Sequence, residues 1–275
     1  MNFKIAKLLL TVSGLLLTLS ATANTIEFNG ELKQGALLRG LTSPGATVLH
    51  DGEPIRVSPA GVFLIGFHRD AAADSVLQVR FPDGTEQTRS LAIVARQYNI
   101  ERIDGLAPKK VTPPPEVLER ITREVALVKE ARKRDDARTD FLTGFKWPLI
   151  GRISGVYGSQ RVLNGEPKRP HFGIDIAAAA GSPVAAPADG LVTVAHPNMY
   201  YSGATLIIDH GHGLSSAFLH LQRITVKQGE RVRQGQKIAE VGSSGRSTGP
   251  HLDWRINLFD KRLDPALVAG PMSKQ

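Results

Sequence analysis

The sequence predicts a mainly β protein with a single helical segment, and two observations support this fold class. Short apolar runs alternate with glycine, proline and aspartate turn signals through residues 24–108 and again through residues 147–270. Only the stretch between them, residues 109–146, has helical periodicity. Short strands at such spacing are typical of antiparallel sheets. We therefore expect an N-terminal small β-sandwich, a linker helix and a C-terminal antiparallel β-sheet domain.

The first 23 residues have the pattern of a secretory signal peptide. Lys4 and Lys7 precede an apolar run at residues 8–19, and residues 21–23 have the small-x-small form of a cleavage site. The apolar run is short for a bilayer span of about 20 residues. We expect removal of residues 1–23 and a periplasmic protein with no stable membrane span, and an uncleaved membrane anchor is the alternative.

The composition indicates how the fold is stabilised and which kinds of partner the protein favours. The formal net charge is +8 and there is no cysteine. A chain without cysteine gains nothing from disulfides, so core packing has to hold the fold. The positive charge favours anionic partners. No tight block of lysine and arginine interleaved with aromatic residues is present, and this argues against nucleic acid.

Residues 24–108 are predicted to form the β-sandwich-like module. Turn signals such as Pro82-Asp83-Gly84 separate the apolar runs at residues 46–49, 61–65, 76–79 and 91–94. No cluster of side chains able to carry chemistry is apparent in this half. A binding or spacer module is the expectation.

The linker is predicted to begin with a stiff, extended stretch, Val111 to Pro115, because three consecutive prolines favour that conformation. A helix is then predicted from Glu116 to about Thr139. Its apolar residues recur at spacings of three, four and three, namely Leu118, Ile121, Val125 and Val128. We expect this helix to pack along one domain, and a partner-binding or dimerising helix is the alternative.

The strongest chemical signal lies in residues 147–270, which are predicted to be nearly all β. On an extended strand, side chains two residues apart share a face, so His251 and Asp253 address one site. His171 and Asp175 would stand roughly 13 Å apart on a straight strand. To share one ion this segment has to bend, and Gly173 supplies the conformational freedom.

Zinc suits this set of side chains, because nitrogen and carboxylate ligands from three residues leave a fourth position for water. His220 and His251, if neither binds the metal, are suited to exchanging a proton or stabilising an oxyanion. A structural role for each pair is the alternative, with His220 as a core histidine. His210 and His212 are expected to have structural roles in a hairpin turn.

The order and context of these residues resemble the lysostaphin/LytM-type zinc endopeptidases, which cut peptide cross-links in peptidoglycan. The resemblance implies a LytM-like fold of the duplicated hybrid motif type for residues 147–270 and covers nothing upstream. Its main segments are Tyr157-Gly158-Ser159-Gln160-Arg161, His171-Phe172-Gly173-Ile174-Asp175-Ile176, Pro187-Ala188-Asp189-Gly190, Leu219-His220-Leu221 and Gly249-Pro250-His251-Leu252.

By this resemblance His171 and Asp175 match two metal ligands, and His220 and His251 match the pair that assists attack by water. The family's third ligand is the second histidine of His-x-His, and this chain has Asp253 there. A His-Asp-Asp site can bind zinc, although two negative charges lower the Lewis acidity of the ion. A harder divalent ion such as manganese is the alternative.

The resulting prediction is an exported, metal-dependent peptidoglycan endopeptidase. The alternative is a catalytically impaired relative that binds peptidoglycan or regulates a cell-wall amidase or divisome protein. A third interpretation comes from residues 226–241, whose rhythm also resembles a lipoyl or biotinyl carrier. Arg161, Arg246 and Arg255 are expected on solvated surface rather than on substrate carboxylates.

Overall fold

The computed structural model describes residues 24–106 and 108–273. The predicted signal peptide, residues 1–23, lies outside the described residues. In the part of the chain that the structure describes, no helix is both long and apolar enough to cross a membrane. The predicted mainly β fold class is confirmed, since the described residues form twenty strands and, besides short helical turns, one helix longer than five residues.

Two antiparallel sheets form the N-terminal part of the chain, in the orders β1-β2-β5 and β4-β3-β6-β7. Buried side chains from both sheets, among them Leu38, Phe63, Leu77 and Val79, share one core, as expected for a sandwich. The strands are β1 (Ile26–Asn29), β2 (Leu37–Thr42), β3 (Thr47–His50), β4 (Glu53–Ile55), β5 (Val62–Gly66), β6 (Asp74–Arg80) and β7 (Glu86–Ala92).

The next strand, β8 (Ile100–Ile103), joins the two parts of the chain. It pairs in parallel with β10 (Gln160–Leu163), which in turn pairs with β11 (Glu166–Pro167). The predicted N-terminal module at residues 24–108 therefore contributes a strand to a sheet completed by later residues. The exact domain boundaries at 108 and 146 stay a prediction.

The predicted linker contains more regular structure than expected, and its helix is shorter. A short helix α1 (Pro108–Val111) and a 3-10 turn (Pro115–Val117) precede the helix α2 (Leu118–Arg132). The prediction that the helix continues to Thr139 was wrong. Beyond Arg132 the chain leaves the helix, because side chains at 134 and 138 bind Asp209 of the C-terminal sheet.

The C-terminal part is a ten-stranded sheet whose main order is β17-β14-β15-β16-β19-β12-β9. A short helix, α3 (Pro265–Ala269), follows it, and a 3-10 turn (Asp140–Thr143) precedes it. The remaining strands are β9 (Arg152–Gly155), β12 (Ile174–Ala177), β13 (Pro183–Ala185), β14 (Gly190–Met199), β15 (Gly203–Asp209), β16 (Leu214–Ile224), β17 (Arg231–Val232), β18 (Lys237–Val241), β19 (His251–Leu258) and β20 (Lys261–Leu263).

The two faces of this sheet have different roles. One face carries the main core, which includes Phe218 and Trp254. On the opposite face Ile207, Ala217 and Leu219 form a smaller cluster that is covered by α2 through Val128 and Ala131. The predicted apolar stripe of α2 is therefore only partly correct, because Leu118 and Val125 are both exposed. The candidate site lies on the same face as α2, at β12 and β19.

Candidate metal centre

The register of two neighbouring strands brings Asp175 and Asp253 together. Asp175 of β12 is paired directly with Asp253 of β19 in the antiparallel sheet. Residues in such a pair project from the same face with Cβ atoms about 5 Å apart. His251 precedes Asp253 by two residues on β19 and so points to this face as well. The predicted convergence of His251 and Asp253 is what the structure shows.

His171 reaches the same point from the loop before β12. Its peptide N–H donates to the Ser159 carbonyl at 2.8 Å, and its own carbonyl accepts from Gly158 at 2.7 Å. These bonds hold the bent segment, and the His171 Nε2 lies 3.1 Å from Asp175 Oδ1. One candidate ligand atom from each of His171, Asp175 and Asp253 lies within 4.8 Å of the others.

Two glycines leave the room that these carboxylates occupy. A Cβ at Gly155, the partner of Asp175 on β9, would lie 2.4 Å from Asp175 Oδ2. A Cβ at Gly173 would lie 2.5 Å from Asp253 Oδ1. Gly173 was expected to supply conformational freedom, but its φ is not in the left-handed region. It is needed because any larger residue would displace the carboxylate.

An arginine pairs with each carboxylate of the centre. Arg161 Nη2 donates to Asp175 Oδ2 at 2.5 Å. Arg255 forms a bidentate pair with Asp253, at 2.9 Å from Nε to Oδ1 and 2.6 Å from Nη2 to Oδ2. Because a guanidinium is always charged at neutral pH, each arginine offsets one negative charge of the centre.

These pairs keep both carboxylates ionised although they are buried. Burial opposes the charge of Asp253, but Arg255 and the His171 ring hold the pKa of Asp253 well below its ordinary value. Burial likewise opposes the charge of Asp175, and there the His171 ring and Arg161 hold the pKa below its ordinary value. Two ionised carboxylates are therefore available as metal ligands.

His220 and His251 flank the carboxylates with their rings 4.9 Å apart between centroids. His220 has a φ of 61°, a left-handed conformation that departs from the regular alternation of β16. Its Nδ1 is 2.7 Å from the Ser244 carbonyl, and Nδ1 of His251 is 2.9 Å from the Gly249 carbonyl. A carbonyl only accepts, so both Nδ1 atoms donate, and in the neutral form of such a ring Nε2 carries the lone pair.

Burial also favours the neutral form of the His220 imidazole. It lowers the pKa of His220 to about 4, so the ring is uncharged at neutral pH. The Nε2 of His251 lies 3.8 Å from Asp175 Oδ1, which places its lone pair at the edge of the centre. Both rings are arranged to accept a proton next to the three candidate ligands.

The centre opens into a groove of about 270 Å³. Asp175, His220 and His251 line it, together with Arg161 and residues 246–250. The groove gives a substrate access to the two imidazoles and to the Asp175 carboxylate.

The donor set fits a divalent metal ion. Both ring nitrogens of His171 and Asp175 Oδ1 are buried and make no well-aligned hydrogen bond, although Nε2 and Oδ1 lie 3.1 Å apart. Unsatisfied buried polar atoms are costly in a folded protein, and a cation removes that cost for a nitrogen and an oxygen donor together. Asp253 has both oxygens bonded to Arg255, and each keeps a further lone pair that can reach a metal ion.

The three arginines were wrongly expected on solvated surface. Arg161 and Arg255 bind the carboxylates of the centre, and Arg246 lies over the Tyr201 ring at 4.7 Å. One signal for Arg255 was present in the sequence, because it follows Asp253 by two residues and shares its face of the strand. Arg161 comes from another strand, and its partner is not visible from sequence spacing.

The predicted structural roles of the histidines at the β15–β16 turn agree with the contacts. Nδ1 of His210 donates to the Asp189 carbonyl at 2.6 Å, and its Nε2 is 2.8 Å from the Ser216 hydroxyl. His212 is buried against Phe141, with ring centroids 5.2 Å apart. Neither is among the residues of the metal-ligand cluster.

Comparisons with known proteins agree with this geometry. Residues 169–265 match the model of peptidase family M23. A peptidoglycan DD-endopeptidase of Vibrio cholerae, ShyB, is 40% identical over 146 residues, covering 51% of this chain and 30% of that protein. A second one, ShyA, is 40% identical over 130 residues, covering 46% and 29%. The matches thus cover less than a third of each of these two relatives.

A crystal structure of a candidate M23 peptidase from Pseudomonas aeruginosa extends the likeness beyond the site. It is 27% identical with a TM-score of 0.65, and the match covers 87% of this chain and 96% of that one. The similarity in structure therefore includes the N-terminal sheets as well as the C-terminal domain.

Proposed function

We propose that the protein, whose residues 169–265 match the model of peptidase family M23, is an exported, metal-dependent endopeptidase that cleaves peptide cross-links of peptidoglycan. The N-terminal sequence pattern supports export to the periplasm. The names of the two Vibrio cholerae relatives support peptidoglycan as the substrate.

The observation that carries this proposal is the convergence of five side chains from separate segments. His171, Asp175 and Asp253 offer ligand atoms within 4.8 Å of one another. His220 and His251 stand beside them, each with Nδ1 donating to a backbone carbonyl. Titratable side chains gathered in this way beside a groove are typical of a functional site.

In the proposed reaction the residues divide into holders and proton carriers. His171, Asp175 and Asp253 hold zinc, which when bound activates water and polarises a carbonyl group. His220 and His251 accept a proton through Nε2 and return it to the leaving amine. The Nδ1 bonds to backbone carbonyls fix the tautomer and the orientation of each ring.

The Arg255–Asp253 pair adjusts the charge of the proposed centre. An aspartate in place of a neutral histidine adds one negative charge, and the bidentate arginine offsets it. Taken together, Asp253 and Arg255 carry no net charge, as a neutral histidine ligand would. The cost to Lewis acidity expected from two carboxylates is thereby reduced.

Digestion of purified peptidoglycan tests the proposal. We expect the protein to release muropeptides from sacculi, and chromatography with mass spectrometry to show peptide cross-links converted to free peptide ends. Removal of metal with a chelator followed by zinc addition should abolish and restore this release. Binding to sacculi without any cleavage, despite bound zinc, would contradict the enzymatic proposal and favour a non-catalytic regulator of a cell-wall amidase.

A further inference from the structure

A second cavity, of about 220 Å³, lies between helix α2 and the sheet. It shares no lining residue with the groove at the candidate metal centre, although Arg255, which lines it, pairs with Asp253 of that centre. We call it the arginine pocket after the four arginines that line it, which are Arg132, Arg169, Arg255 and Arg262; Lys129 lines it as well.

Four of these five basic side chains form no ion pair in the part of the chain that the structure describes. Among the residues that the structure describes, Lys129, Arg132, Arg169 and Arg262 take part in none of the ion pairs within 4.0 Å. Lys129 and Arg169 are exposed, whereas Arg132, Arg255 and Arg262 are half-buried. All five line one cavity that has both polar and apolar walls.

Arg132 is the least satisfied of them. Its Nε is buried and has no hydrogen-bond partner. Burial and the neighbouring guanidiniums of Arg262 and Arg255 hold the pKa of Arg132 well below its ordinary value. Burial and Arg255, with Arg169, also lower the pKa of Arg262 to about 10. The three half-buried guanidiniums, of Arg132, Arg255 and Arg262, therefore repel one another.

The carboxylate that lines the cavity does not offset this charge. Glu124 uses Oε1 to accept from Arg120 at 2.7 Å and Oε2 to accept from the Tyr200 peptide N–H at 2.7 Å. Asp253 accepts from Nε and Nη2 of Arg255. The Nη1 edge of that guanidinium keeps donors for a further acceptor, because a guanidinium has five N–H groups.

We propose that the arginine pocket binds a small oxyanion with at least two negative charges, through carboxylate or phosphate oxygens. Planar guanidiniums match the paired oxygens of carboxylate and phosphate, which a spherical anion does not offer. The cavity exceeds the roughly 30 Å³ of one water several-fold, so it has room for a polyatomic ion. This inference does not depend on the proposed peptidase activity.

Calorimetric titration of the purified protein tests the proposal, with inorganic phosphate and succinate as separate probes at pH 7.5 and low ionic strength. We expect both or either to bind with a dissociation constant below about 1 mM. Arg132→Gln and Arg262→Gln should each weaken binding about ten-fold or more, because each removes charge-assisted hydrogen bonds.

Arg123→Gln is the matched control. Arg123 is on the same helix, is exposed and pairs with Glu119, so the substitution removes the same charge outside the pocket. It should change binding less than two-fold or so, by the screening of exposed charges. Anion held at the metal centre would survive Arg132→Gln and would thereby be separated from the pocket.

The two probes also distinguish the sources of the ligand. Tighter binding of phosphate assigns the pocket to a phosphate group, and tighter binding of succinate assigns it to a carboxylate-bearing molecule. Absence of binding by both probes up to about 10 mM would overturn the proposal. An equal loss in Arg123→Gln and Arg132→Gln would overturn it too, since it would show a general charge effect.

Discussion

The candidate metal centre and the arginine pocket lie side by side on one sheet face, but they differ in how far their charges are neutralised by other residues of the chain. At the centre each buried carboxylate has its own arginine, Asp175 with Arg161 and Asp253 with Arg255. In the pocket the guanidinium of Arg132 is buried beside other cations without a carboxylate. The first region is balanced within the chain, whereas the second is suited to a charge from outside.

The largest expected effect separates catalysis from binding. His220→Gln should lower the rate of peptidoglycan cleavage by about 10²- to 10⁴-fold, because the substitution removes a proton acceptor. Zinc content and phosphate binding should stay at wild-type levels, since neither region loses a proposed ligand. The measurements are muropeptide release, metal analysis and calorimetry, and unchanged cleavage would remove His220 from the proposed mechanism.

The next effect concerns the balanced region. Arg255→Leu leaves the Asp253 carboxylate buried and unpaired, and should reduce the free energy of unfolding by about 3 kcal/mol in metal-free protein. Asp253→Asn combined with Arg255→Leu should cost less than the sum of the single changes. Urea unfolding of the three variants measures this coupling. If the stability losses of the two single variants added up in the double variant, the Asp253–Arg255 pair would not compensate for the burial of its two charges.

The smallest effect has the opposite sign and concerns the unbalanced region. Arg132→Leu removes a cation whose buried Nε has no hydrogen-bond partner among the described residues. The new leucine side chain still covers the sheet. The free energy of unfolding should rise by about 1 kcal/mol at low ionic strength. The loss of the favourable interaction between a cation and the C-terminus of α2 reduces this gain. Urea unfolding with and without phosphate measures this. A loss of stability equal to that of Arg255→Leu would contradict the contrast between the two regions.

The strands were predictable because apolar and polar residues alternate along the sequence in the same way as buried and exposed positions alternate along a strand. Along β6 exposed and buried residues alternate without exception, with Leu77 and Val79 turned inward. The candidate ligands were found through glycine-flanked motifs, and the strand pairing of Asp175 with Asp253 brings them together. Their roles as metal ligands stay a prediction.

The parts that sequence did not reveal depend on contacts between distant segments. The predicted helix continues past Arg132, since most of residues 133–139 are charged and compatible with a helix. In the structure Arg134 and Arg138 instead bind Asp209. The arginine pocket combines the end of α2 with residues at 169, 255 and 262. No periodicity connects such positions, so only the folded arrangement shows that the cations meet.

Zinc stoichiometry tests the central claim of a metal centre most directly. After zinc loading and dialysis, the protein should hold about one zinc ion per chain, and His171→Ala less than about a tenth of that. His212→Ala is the matched control, because His212 is also buried with both ring nitrogens unbonded but is not part of the cluster. It should keep about one zinc ion per chain. Wild-type protein without zinc, or equal loss in the two variants, would contradict the account.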